Sequence, residues 1–141
     1  MEATTSAHLA KFDEIAWDDL NSDERLPQGE VARARRVGVN RKILAAGQCG
    51  FHVSFASMPP NHVVHNHRHG HDEILSVCRG SIILDGPEGQ VLSENDLIVI
   101  PSKQFYGFTV GPEGAEFLTI RLGPPDRIAP ENDREEQDAP A

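Results

Sequence analysis

Residues 62–73 read HVVHNHRHGHDE, and five of the seven histidines fall within these ten positions from His62 to His71. His65, His67, His69 and His71 stand at every second residue, and Glu73 continues the alternation. An extended strand has a side-chain period of 2, so all five groups can share one face. Imidazole and carboxylate together are ligands for Fe, Mn, Ni, Zn or Cu, and they are also the side chains of acid–base catalysis. The competing reading is a solvated strand edge that chelates metal by accident.

The elements that must position these groups are short strands. FHVSFASM (51–58) alternates Phe51, Val53 and Phe55 against His52, Ser54 and Ala56, as a half-buried strand does. EILSVCR (73–79), SIIL (81–84), LIVIP (97–101), FYGFTV (105–110) and AEFLTIRL (115–122) follow, separated by turn residues. Two GPEG copies, at 86–89 and 111–114, read as hairpin tips. No helical periodicity interrupts them, so the expected class is all-β, a sandwich or barrel. FDEIAWDDL (12–20) is expected to form a short helix or an extended arm packing Phe12, Ile15 and Trp17.

Composition bounds what such a domain can do. The chain has 141 residues and a net charge of −9, and the acidity lies at the ends. Residues 1–30 carry eight acids against two bases, and residues 123–141 carry six against two, whereas 31–122 are nearly neutral. We therefore expect an acidic N-terminal arm (1–30), one domain (31–122) and a disordered, proline-rich acidic tail (123–141). An acidic chain without a basic face is a poor partner for nucleic acid or an anionic membrane. Its one basic cluster is RARR at 33–36 with Arg41 and Lys42, read as a solvated or subunit-contacting edge. No run approaches the roughly 18 apolar residues of a membrane span, and the first residues lack the pattern of a signal peptide. Two cysteines, Cys49 and Cys78, make no disulfide framework, and the expected location is cytoplasmic.

HRHGHDEILSVCRG (67–80) resembles the first signature of the cupin superfamily: His67, His69, Glu73 and Gly80 stand at its spacing. NDLIVIPSKQFY (95–106) resembles the second signature, and only fourteen residues separate Gly80 from Asn95. The resemblance covers residues 38–122. It departs from the family pattern at Asn61, Asn95 and Lys103, where glycines are usual, and at Tyr106, where the family has a histidine ligand.

The resemblance implies a double-stranded β-helix, or jelly-roll barrel, and a homodimer joined through N-terminal strands such as VGVNRKILAAG (37–47). It also implies one divalent transition metal per chain, iron above all, with Mn, Ni, Zn or Cu as alternatives, held by His67, His69 and Glu73. Two histidines and one carboxylate leave positions open for substrate and dioxygen. The expected function is thus a metal-dependent dioxygenase acting on a small hydrophobic, enol or phenolic substrate. One alternative is a Lewis-acid isomerase, lyase or cyclase with Tyr106 as catalytic acid or base. A non-catalytic module binding a small molecule is the other. Of the remaining groups, His71 is expected to turn out at Gly70, His62 or His65 to line the cavity mouth or dimer edge, and Cys78 to be a small core residue. Arg79, Lys103 and Arg121 are candidate anion anchors whose ordinary reading is solvent exposure.

Overall fold

The computed structural model describes residues 6–18, 38–124 and 126, and nearly all of the ordered secondary structure is strand. Seven strands run in chain order: β1 (Asn40–Ala46), β2 (His52–Met58), β3 (Val63–His67), β4 (Glu73–Leu84), β5 (Val91–Leu92), β6 (Leu97–Ile100) and β7 (Tyr106–Arg121). They pair antiparallel in the order β1-β2-β7-β4-β5, with β3 also on β7 and β6 also on β4. β4 and β7 each serve two sets of neighbours, and this double use closes the sheet into the expected all-β barrel.

The sequence divides β4 and β7 where the structure does not. SIIL continues EILSVCR through Gly80, and FYGFTV continues into AEFLTIRL. The GPEG at 86–89 is a hairpin tip, closed by the Leu84 amide on the Gln90 carbonyl at 2.8 Å. The copy at 111–114 is instead an excursion within β7, opposite a register shift between Gly80 and Ile82. A second shift, between Val77 and Arg79, leaves Cys78 without a cross-strand partner. Glu73, Leu75 and Val77 are the inward phase of β4, so Cys78 is exposed and not the small core residue expected of it. Its thiol pKa is pushed up, by burial among its neighbours first and by the Glu116 charge second, against a lowering backbone hydrogen bond at Leu118.

Inside the barrel, Leu75, Val77 and Ile82 of β4 meet Phe108, Val110 and Phe117 of β7, with Phe108 and Phe117 edge to face at 5.7 Å. On β2 the phase is opposite to the simple hydrophobic reading. Ser54 and Ala56 are buried inside, while Phe51 is exposed and Phe55 lies on the outer face. The arm covers that outer face. After a single 3-10 turn at Phe12–Glu14, Phe12 packs on Phe55 at 4.8 Å, Trp17 closes on both rings, and Lys42 Nζ sits 3.8 Å over the Phe12 ring. The RARR cluster and the tail from 127 onward lie outside the described residues.

Asn61, Asn95 and Lys103, which replace family glycines, all keep a left-handed backbone, with φ of 64°, 74° and 70°. Asparagine tolerates this region better than most residues, which accounts for Asn61 and Asn95. Gly80 retains both glycine and left-handed backbone (φ 75°), and a Cβ there would run into the Gly114 carbonyl oxygen. Gly80→Ala is therefore expected to destabilise the chain by about 1–3 kcal/mol or more, read from the urea midpoint. An unchanged midpoint would show that this close approach is absent.

Candidate functional site

β3 enters the barrel with Val64 buried, and its register against β7 then slips between Val64 and His67. Gly107 makes room for the slip, since a Cβ there would meet the Val64 carbonyl oxygen and the Asn66 amide. The bulge moves the inward set from even to odd positions. His65 is consequently exposed, while His67 and His69 are buried at 4% and 6% exposure. Across the strand pairs, His67 stands opposite Tyr106, and Glu73 stands opposite Arg121. Along the inward side of β7 the residues change from Phe117 to Thr119 to Arg121, so the apolar core gives way to a polar end.

The His67 ring lies 4.9 Å from that of His69 and 4.5 Å from that of Tyr106. Both imidazoles are held by backbone carbonyls: His67 Nδ1 donates to His65 O at 2.8 Å, and His69 Nδ1 donates to Asp126 O. A carbonyl can only accept, so in the neutral ring the proton sits on Nδ1 and the lone pair on Nε2. Consistently, the donor Arg121 Nη2 lies 3.4 Å from His69 Nε2.

Glu73 is the hub. Its carboxylate is 1% exposed; Oε1 accepts from Tyr106 Oη, and Oε2 lies against Arg121 Nη2 as an ion pair without hydrogen-bond geometry. Arg121 is itself buried, and its Nε has no acceptor among the described residues. The surface expected of Arg121 is thus corrected: Ala115, Phe117, Thr119 and Arg121 share one phase of β7, and that phase points inward. Arg79 and Lys103 are exposed as expected, with Arg79 bonded to Glu116 at 3.1 Å.

Of the other histidines, His71 packs its ring over Gly123, where no side chain intervenes. His8 Nε2 meets the Leu44 carbonyl at 2.8 Å, on the outside. The first residues of the expected tail belong to the site: Gly123 is buried, and the Asp126 carboxylate accepts from the Gly70 amide at 3.1 Å. Composition hid this, because a stretch with little to bury can still be ordered by hydrogen bonds from polar partners.

Donor chemistry fits a divalent transition metal: two imidazoles with Nε2 lone pairs fixed by carbonyls, and one carboxylate. Their present spacing does not close on an ion, and among the described residues no three such donors are so grouped. Arg121 and Tyr106 hold the carboxylate instead.

No protein-family model matches the chain, and no curated protein matches it in sequence. Solved structures do match. KdgF from Halomonas sp. superposes with a TM-score of 0.62 at 20% identity, over 84% of this chain and 96% of its own. An RmlC-like cupin from Shewanella frigidimarina gives 0.61 at 16% identity, over 89% and 95%. The chain has the cupin fold. A Methylibium petroleiphilum protein provisionally assigned as an acetylacetone dioxygenase gives 0.69 at 15% identity, over 94% and 88%. The polyketide cyclase RemF from Streptomyces resistomycificus gives 0.55 at 22% identity, over 72% and 80%. Neighbours of such different description share the cupin barrel, and fold does not fix chemistry.

Tyr106 turns its hydroxyl onto Glu73. Tyr106→Phe is expected to lower stability by about 1–3 kcal/mol, because it leaves a buried carboxylate oxygen without its donor. A denaturation midpoint equal to that of the unmodified chain would show that this hydrogen bond contributes nothing.

Proposed function

We propose that this chain is a metal-dependent small-molecule enzyme, in first place a dioxygenase acting on a small hydrophobic, enol or phenolic substrate. The observation that carries the reading is the pair of imidazoles whose Nδ1 protons are fixed by backbone carbonyls beside a buried carboxylate. His67, His69 and Glu73 would hold one divalent metal per chain, with iron first and Mn, Ni, Zn or Cu as alternatives. When bound, such an ion supplies a Lewis-acid centre with open positions for an oxygen-bearing substrate and for dioxygen. His65 and Asp126 orient the two rings through their carbonyls. The aromatic ring of Tyr106 packs on the apolar core, which favours a substrate with a hydrophobic body and excludes water from the reacting end.

A second reading draws on the Tyr106 hydroxyl bonded to Glu73. A phenol beside a carboxylate can hold or pass a proton, which suits an isomerase, lyase or cyclase needing no oxygen. The provisional acetylacetone dioxygenase and the polyketide cyclase among the structural neighbours lend one example to each reading. Pairing as a homodimer belongs to the same proposal: β1 ends the sheet order, and among the described residues its outer edge pairs with no strand. Among the described residues no helix is long and apolar enough to cross a membrane, and a cytoplasmic location completes the proposal.

The test is oxygen uptake by the Fe(II)-loaded protein with β-diketones and phenols as substrates. Uptake is expected from the unmodified chain and loss of it, together with loss of bound metal, from His67→Ala and His69→Ala. Substrate turnover without oxygen, abolished by Tyr106→Phe while metal content persists, would replace the dioxygenase with the second reading. A chain that binds no metal under any loading condition would contradict both.

A further inference from the structure

We propose that Arg121 is an exchangeable counter-ion for Glu73: it holds the carboxylate until a divalent cation takes its place, and so sets the metal affinity of the site. The inference rests on the reading that His67, His69 and Glu73 hold a metal, and it adds a positioning residue that the ligand spacing does not contain.

Location is the first ground. His69 Nε2 and Glu73 Oε2 are 3.9 Å apart. A cation bonded to nitrogen and oxygen at about 2.0–2.2 Å spans such a gap. Arg121 Nη2 lies 3.4 Å from the nitrogen and in contact with the oxygen, so guanidinium and cation would need the same room.

The quality of the pairing is the second. A guanidinium and a carboxylate at their best form two parallel, directed hydrogen bonds. Among the described residues, Oε2 receives no directed hydrogen bond and Arg121 Nε, also buried, has no acceptor. Each unmet group keeps part of its desolvation cost, so the contact is well suited to displacement.

Charge is the third. A carboxylate that is 1% exposed needs a positive partner. Either cation serves, but both together leave surplus positive charge where solvent cannot screen it. Metal binding therefore has to displace Arg121 from Glu73, and the work of displacement is subtracted from the affinity. Arg79, paired with Glu116 on the outside of the barrel, offers a control in which the same ion pair has no access to the site.

The experiment measures Zn(II) affinity of the full-length chain by competition with a chromophoric chelator, for the unmodified protein, R121M, R121K and R79M. R121M is expected to bind zinc at least about tenfold more tightly, a change of the size that groups around a ligand set produce. R121K is expected to bind more tightly by less, since one ammonium cannot reach both Glu73 and His69, and R79M to match the unmodified chain. A folded R121M that binds zinc no more tightly than the unmodified chain overturns the proposal. An R121M chain that folds only with zinc supports the proposal, because the cation then replaces the guanidinium. If R121M fails to fold even with zinc, R121K decides, tighter binding supporting and equal or weaker binding overturning. Failure of every form to bind zinc would contradict the metal reading together with this inference, whereas binding without a gain in R121M contradicts this inference only.

Discussion

The structure of the site depends on one buried carboxylate. Glu73 stands at the start of β4 with almost no access to water, and an isolated charge there would cost many kilocalories per mole. Tyr106 takes one oxygen and Arg121 takes the other, so the charge is tolerated only because β7 brings both residues to it. A single strand of sixteen residues supplies partners from its two ends, and this requires the barrel to close around Glu73. The carboxylate thus ties the chemistry to the topology. Replacing one partner of such a set leaves a buried group unmet, whereas replacing a carboxylate and its cation together with apolar side chains can be nearly neutral.

The histidines are arranged by a different device. Their rings meet Glu73 and Tyr106 because a register slip in β3 moves the inward phase just before His67, and because Gly107 lets the backbone of β3 approach. Each ring is then fixed by a carbonyl from another part of the backbone, His65 within β3 and Asp126 beyond β7. The two orientations are backbone properties, so substitutions that leave the main chain in place should preserve them.

Much of this was legible in the sequence. The run from His67 to Gly80 carries the cupin resemblance, and that resemblance marks the fold and singles out His67, His69 and Glu73. Asn61 before His67, and Asn95 and Lys103 in the second signature, depart from the glycines of the resemblance, yet all three keep the left-handed backbone. Backbone shape outlasts residue identity when the alternative side chain can be accommodated. What stayed hidden depended on pairing. The slip that puts exposed His65 and buried His67 in different phases arises from register against β7, which no local pattern encodes. The two GPEG copies are identical in sequence, yet one turns a hairpin and the other bends a continuous strand. Arg121 could have been found from the alternation Ala115, Phe117, Thr119, Arg121, but a lone arginine at a strand end reads first as solvent-exposed. Asp126 offered no signal, because it joins the site through its main-chain oxygen and a carboxylate bonded to the Gly70 amide.

At the centre stands the proposal that His67, His69 and Glu73 of this cupin barrel would hold a divalent metal, with Arg121 and Tyr106 as the groups that otherwise occupy the carboxylate. X-ray absorption at the metal edge of the zinc-loaded protein tests it most directly. Two imidazoles with oxygen donors at about 2.0–2.2 Å, and loss of the imidazole scattering in the His67→Ala/His69→Ala protein, are the predicted result. A shell without imidazole, or one containing sulfur at about 2.3 Å, would contradict it.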